Sequence, residues 1–99
     1  MKKTVRILRK AQQDIIEIRD YVALDDPRAS IRLIDKLLAR IEDLAEFPEI
    51  GAVPRDKNLR ARGYRFLLER DYLIFYKVFK RQIRVYRVIH GRRKYRHLL

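Results

Sequence analysis

The sequence contains no cysteine among its 99 residues. Without cysteine the chain can form no disulfide framework, no thiolate-ligated zinc or iron–sulfur site and no thiol nucleophile. The lack of disulfides fits a reducing compartment, where structural disulfides are rare. The composition therefore excludes disulfide-stapled secreted proteins, and we expect a cytoplasmic location.

Long hydrophobic runs are also missing. The longest uninterrupted apolar run is Tyr72–Tyr76, far below the ~20 residues that span a bilayer. The basic start, Met1–Lys3, is not followed by the apolar block of a secretory signal peptide. We therefore expect no contact with a membrane.

Acidic residues are absent from both ends of the sequence. The formal net charge is +12, and residues 1–10 and 72–99 contain Lys and Arg but no Asp or Glu. If the two ends lie together in the fold, one face of the molecule is strongly positive and attracts a polyanion or an acidic partner. A solvated, highly soluble surface is the alternative.

A chain of this length allows one domain, which we place at residues 1–99. Alternation over Thr4–Leu8 predicts a first strand. Apolar residues then recur at helical spacing from Ala11 to about Leu24. Asp26 and Pro27 form a typical helix start, and the second helix ends before Pro48. The two helices are predicted to form an antiparallel hairpin.

The second half of the sequence predicts a sheet. Residues 49–62 show no sustained period and are predicted to form a loop. Three strands follow, at Tyr64–Glu69, Tyr72–Phe79 and Gln82–His90, and their short polar connections imply hairpins. The middle strand is apolar on both sides and should be interior. The prediction is an α+β fold with an N-terminal strand, a helical hairpin and a three-stranded antiparallel meander.

Basic side chains mixed with tyrosine run from these strands to the end of the sequence. This mixture can hold a phosphate backbone and stack on a base. The candidate residues for binding a target or a nucleic acid are Arg65, Arg84, Arg87, Arg92, Arg93, Lys94 and Arg96. For the last four, an unstructured basic tail without a partner is the alternative.

Cleavage of RNA by its own 2′-hydroxyl needs a base, an acid and a cation at the phosphate. His90 is the candidate acid or base, and Arg92 or Arg93 is the candidate cation. The alternative for His90 is a strand-end residue that is hydrogen-bonded to backbone.

A second group of basic residues lies on the predicted second helix. Its members fall four residues apart and are Arg28, Arg32, Lys36 and Arg40. Their function would be to dock an acidic partner, and the alternative is an ordinary charged solvent face. The sequence has no Gly-rich phosphate loop, and with only two histidines it offers no metal-ligand cluster. We therefore expect neither a metal nor a cofactor.

Five segments, at residues 14–29, 41–51, 58–65, 72–78 and 88–93, are spread along most of the chain. In their order and spacing they resemble the RelE/ParE superfamily, the toxin halves of bacterial type II toxin–antitoxin and plasmid-stabilisation systems. The resemblance implies the same strand, helix-hairpin and meander fold. It also implies a small acidic antitoxin as partner, which binds the folded toxin.

The superfamily contains two activities. Members similar to RelE and YoeB cut mRNA on the ribosome with basic residues and a tyrosine. By this resemblance the catalytic residues would be Arg65, His90 or Arg93, and Tyr95. The position of a further family arginine is occupied by Leu73, and a leucine cannot neutralise the phosphate in the transition state.

ParE-like members instead poison DNA gyrase by binding and need no catalytic residue. The chain resembles them at Asn58–Arg60, Gly63–Arg65 and Phe75–Val78. This resemblance predicts a gyrase inhibitor. A ribosome-dependent mRNA endoribonuclease is the first alternative, and a non-toxic nucleic-acid-binding module is the second.

Overall fold

The computed structural model describes residues 2–99 as one four-stranded sheet with two long helices on one face. The strand order across the sheet is β1-β4-β3-β2. In chain order the elements are β1 (Thr4–Ile7), α1 (Arg9–Asp25), α2 (Pro27–Asp43), α3 (Lys57–Ala61), β2 (Tyr64–Glu69), β3 (Tyr72–Val78), β4 (Gln82–His90) and a 3₁₀ turn (Arg96–Leu98).

Strands β2, β3 and β4 form an antiparallel meander, and β1 pairs in parallel with the first half of β4. The helices α1 and α2 carry the chain from β1 at one edge of the sheet towards β2 at the other, and the meander then returns β4 to the side of β1. Strand β3 lies inside the sheet, as its apolar faces predict, and β4 lies inside as well. The predicted α+β fold with a helical hairpin and a meander is therefore confirmed.

The main core lies between the sheet and the helical hairpin. Leu37 from α2 and Ile74, Ile83 and Val85 from the strands are fully buried there. Each of these strand residues alternates with a side chain on the opposite face, because strand side chains have a period of two. The helical hairpin therefore covers the side chains on one face of each strand.

The opposite face of the sheet carries a second, smaller core. Tyr64, Phe75 and Ile89 are buried there against Leu59 from α3 and side chains from residues 95–99. The sequence predicts this face to be partly solvated and basic. In the structure the end of the chain folds back over half of it, and the basic part is confined to the other half.

The predicted loop at residues 49–62 is wrong in one part, since it contains α3. Asp56 accepts a hydrogen bond from the Leu59 amide at 3.0 Å and caps the helix. A helix of five residues is too short to show a hydrophobic period, and only Leu59 of it is buried. Within residues 2–99, no helix is long and apolar enough to cross a bilayer.

Candidate functional site

An ion pair ties α1 to β4 where β1 has ended. Arg87 donates to both carboxylate oxygens of Asp14 at 2.7 and 2.9 Å, and the Val88 amide donates to the same carboxylate at 2.9 Å. Both side chains are nearly buried, with 7% of Asp14 and 12% of Arg87 exposed. The hydrogen bonds to Asp14 and its charge raise the pKa of Arg87. Arg87, predicted to contact a target, is thus held by Asp14.

The end of the chain forms a strap across the second face of the sheet. The remaining terminal nitrogen of Arg87 donates a hydrogen bond to the Leu98 carbonyl at 3.1 Å, and Arg62 donates one to the Leu99 oxygen at 2.6 Å. The Tyr95 ring packs on Phe75 with centroids 5.1 Å apart. These contacts show that the segment after residue 94 is folded, which differs from the alternative of an unstructured tail.

A cleft of about 370 Å³ opens on this face between the strap and the loop before α3. Its sheet wall consists of Phe66, Leu73 and Phe75, and Tyr95 closes it from the strap. Arg96 lies at its rim and pairs with Asp56 at 2.8 Å. Leu73, which stands where the ribonucleases resembled above have an arginine, therefore belongs to the apolar sheet wall of a cleft whose rim is polar.

Arg65 lies on the other face of the sheet. It alternates along β2 with Tyr64 and Phe66, which belong to the second core. Its guanidinium donates to the carbonyls of Gly51 at 3.0 Å and Glu49 at 3.4 Å. Arg65 therefore anchors the loop that follows α2, and Tyr95 and Arg65 lie on opposite sides of the sheet.

His90 and Arg93 line a different cleft, of about 540 Å³, between α1 and the end of β4. The His90 ring meets the Tyr72 ring edge to face at 5.3 Å, and its Nδ1 accepts from the Arg92 amide at 3.1 Å. His90 is thus a strand-end residue that is hydrogen-bonded to backbone, which is the alternative to its role as an acid or base.

The four predicted catalytic residues are therefore not brought together. Strand register places Arg65 four residues and two strands away from His90, or about 17 Å at ordinary strand spacings. His90 and Arg93 share one cleft, Tyr95 lines another, and Arg65 lines neither.

The largest group of cations on the sheet lies at the opposite end from both clefts. Arg6 of β1 is in register with Arg84 of β4, and Arg84 is in register with Lys77 of β3. All three alternate with core residues and so point to the face away from the long helices. We call this surface the basic sheet face, and it consists of Arg6, Arg9, Lys10, Arg62, Lys77 and Arg84.

Aromatic rings lie among these cations. The Lys77 ammonium lies 4.5 Å from the Tyr64 ring centre and 4.9 Å from that of Tyr86. The Arg84 guanidinium lies 4.4 Å from the centre of the Phe79 ring. Burial and the nearby charge of Arg62 lower the pKa of Lys77. Between residues 2 and 99, none of the six cations has an Asp or Glu carboxylate within 4.0 Å.

Of this surface, the sequence-based site prediction contains only Arg84. Lys77 follows the apolar run Tyr72–Tyr76 within its strand, and Arg62 falls in the predicted loop, so neither forms part of a basic run. The signal for Lys77 is cross-strand register with Arg84, which a sequence shows only after the strands have been paired.

The remaining predicted cations lie elsewhere. Arg92, Arg93 and Lys94 are exposed beyond the end of β4, about 20 Å or more from Arg84 along the strand. The expectation that both basic ends share one face is therefore only partly correct. Residues 6–10 join the first half of β4, whereas residues 92–94 lie at the opposite end of that strand.

The basic stripe on α2 is mostly exposed. Arg28, Arg32 and Lys36 face solvent, whereas Arg40 is partly covered and lies 3.7 Å from Glu69 of β2. The first three are free to meet an acidic partner, and Arg40 links the helix to the sheet.

A family model described as the ParE toxin of type II toxin–antitoxin system, parDE, matches residues 5–95. The chain belongs to this ParE toxin family. It is 28% identical over 98 residues to "Putative toxin Y4kP" of Sinorhizobium fredii, and the match covers 99% of this chain and 98% of that relative.

Two solved structures share the fold. A chromosomal ParDE toxin–antitoxin system from P. aeruginosa matches with a TM-score of 0.73 and 24% identity, over 90% of this chain and 96% of that one. The RelBE2 toxin–antitoxin complex from Mycobacterium tuberculosis matches with a TM-score of 0.67 and 19% identity, over 91% and 99%. The chain is thus a toxin of a type II toxin–antitoxin system in the RelE/ParE superfamily.

Proposed function

We propose that this ParE family toxin inhibits DNA gyrase by binding to it and carries out no catalysis of its own. The observation that carries the proposal is Leu73, which forms part of the apolar sheet wall of the cleft. Stabilising a cleaving phosphate requires cations aimed at the place where charge develops. The sheet presents Phe66, Leu73 and Phe75 to this cleft instead. The arginines that line it, Arg55 and Arg96, belong to the loop before α3 and to the strap, where Arg96 is paired with Asp56.

The positions of the candidate catalytic residues support the same proposal. Arg65 is bonded to loop carbonyls on the side of the sheet opposite to Tyr95. His90 lies on the same side as Arg65 but two strands away, where it packs on Tyr72. A general acid must reach the leaving oxygen within hydrogen-bonding distance. Side chains on opposite sides of a sheet cannot act on one phosphate without rearrangement of the strands.

We also propose that a small acidic antitoxin neutralises the toxin. Both solved structures named above are toxin–antitoxin systems, and the net charge of +12 favours an acidic partner. The exposed stripe of Arg28, Arg32 and Lys36 is a candidate contact for it.

The test compares the two targets directly. Purified toxin should inhibit supercoiling by purified gyrase, and prior addition of the antitoxin should restore it. Primer extension on mRNA translated in the presence of the toxin should show no new cleavage sites. Cleavage sites together with unaffected gyrase would establish the ribonuclease instead. Normal growth of cells that express the soluble protein without antitoxin would contradict toxicity and favour a non-toxic nucleic-acid-binding module.

A further inference from the structure

Like charges lie side by side on the basic sheet face. Arg6, Arg84 and Lys77 occupy directly opposite positions on three neighbouring strands, which are about 4.8 Å apart. Like charges in directly opposite positions of a sheet destabilise it. Among the described residues no carboxylate lies within 4.0 Å of them, so the row gains from an anion that the chain itself does not supply.

A small cleft of about 310 Å³ adjoins this row. The rings of Tyr64 and Tyr86 line it, and Arg9 and Lys10 lie on its border. Lys77 contacts the same two rings. The row and the cleft together thus provide cations for a backbone and an aromatic recess beside it, the combination that proteins use to bind single strands.

We propose that the basic sheet face binds single-stranded DNA through its phosphate backbone. A duplex keeps its bases stacked inside, whereas a single strand can turn one base into the recess beside Tyr86. The chemistry recognised is a phosphodiester backbone, which RNA also supplies, and the comparison of a DNA with an RNA 20-mer distinguishes the two sources. Binding of DNA goes beyond gyrase inhibition, which requires contact with the enzyme alone.

An acidic protein segment is the competing occupant. A protein partner would need apolar anchors beside its charges. On this face apolar lining is confined to the small recess, where Leu8, Leu98 and Leu99 lie beside the two tyrosines. Along the row itself the Arg84 guanidinium lies over the ring of Phe79. The geometry therefore favours a partner whose binding energy comes from regularly spaced phosphates.

Fluorescence anisotropy with a labelled thymidine 20-mer and the purified toxin tests the proposal without gyrase. The double variant R6Q/R84Q should bind about tenfold more weakly or worse. Its slope of log affinity against log salt should be lower by about 1.4, because two phosphate contacts are lost. The control R19Q/R70Q removes the same charge from exposed positions on α1 and in the turn between β2 and β3 and should retain the affinity of the unmodified toxin.

Circular dichroism melting shows whether each variant folds, and R62Q/K77Q provides an independent disruption of the same face. Equal losses of affinity in the variants of the basic sheet face and in the control would show that binding depends on net charge alone, and would overturn the proposal. An undetectable complex at low salt, a duplex that binds as tightly as the single strand, or an RNA 20-mer bound tenfold more tightly would also overturn it. Displacement of the oligonucleotide by poly-glutamate at equal charge concentration would assign the face to an acidic protein instead.

Discussion

Asp14 is the side chain that completes the edge of β4. Strand β1 ends at Ile7, so the Val88 amide has no strand partner there and donates to Asp14 instead. The same carboxylate neutralises Arg87. Removal of one member of a buried ion pair leaves the other charge uncompensated, whereas removal of both does not.

Asp14→Asn should therefore lower the free energy of unfolding by about 3–5 kcal/mol. Urea denaturation measures the change. Asp20→Asn, on the exposed side of the same helix and in a surface pair with Arg19, is the matched control and should alter stability by less than about 0.5 kcal/mol. Similar values for the two variants would refute a structural role for the buried pair.

Tyr76 also has a polar group that hydrogen bonds hold inside the protein. Its hydroxyl accepts from the Gly51 amide at 2.9 Å and donates to the Pro48 carbonyl at 2.9 Å. A Cβ at position 51 would lie only 2.5 Å from this oxygen, so glycine is required for the approach. Burial raises the pKa of Tyr76 above the ordinary value of 10.0.

Tyr76→Phe should lower the free energy of unfolding by about 1–3 kcal/mol at neutral pH, since the Gly51 amide loses its partner. A tyrosine whose pKa is raised by folding stabilises the protein below pH 10.0 and loses this contribution as the pH rises through the folded pKa. The alkaline loss of stability should thus be shallower in the variant, by up to about 1.4 kcal/mol per pH unit. Parallel alkaline profiles for Tyr76→Phe and the unmodified toxin would contradict this, and Tyr21→Phe, at an exposed ring, is the control.

At the scale of elements, the helical hairpin depends on the tight connection between α1 and α2. Asp26 accepts hydrogen bonds from the amides of Arg28 and Ala29 at 3.0 and 3.2 Å, and Pro27 occupies the first helical position. The Ser30 hydroxyl donates to the Arg19 carbonyl and joins the two helices. The predicted start of α2 is confirmed, because capping residues act locally and can be identified from sequence.

Asp26→Ala should lower the free energy of unfolding by about 1 kcal/mol through loss of this cap. The neighbouring Asp25→Ala is the control and should be neutral or slightly stabilising, because it removes a negative charge from the C-terminal end of α1. Thermal melts of the two variants measure the difference. A larger loss from Asp25→Ala would show that the side chain of Asp26 does not cap α2.

At the scale of the whole molecule, charge is distributed unevenly between two regions. The basic sheet face and the exposed residues 92–94 lie at opposite ends of β4, and the acidic residues lie between positions 14 and 71. Such a molecule repels itself and is stabilised by an acidic partner that binds only the folded form.

The complex with the antitoxin should melt well above the toxin alone. An antitoxin present at 100 times its dissociation constant adds about 2.7 kcal/mol to the free energy of unfolding. Differential scanning calorimetry at several antitoxin concentrations measures the shift, which should grow with concentration. Identical melting temperatures at every concentration would exclude binding to the folded state, and an unrelated protein of equal negative charge controls for bulk electrostatics.

The amino-acid sequence by itself determined the four strands, the two long helices, the fold class and the family, because hydrophobic period, caps and turn residues are local and the family segments are contiguous. It did not determine α3, which is too short to show a hydrophobic period. It did not determine which side of the sheet each arginine occupies. Arg87 meets Asp14 across 73 positions of the chain, and Arg6, Arg84 and Lys77 meet through strand register. Only the tertiary structure decided these neighbours, because pairing and packing of distant segments set the side of each strand that is covered and the charges that remain for a partner.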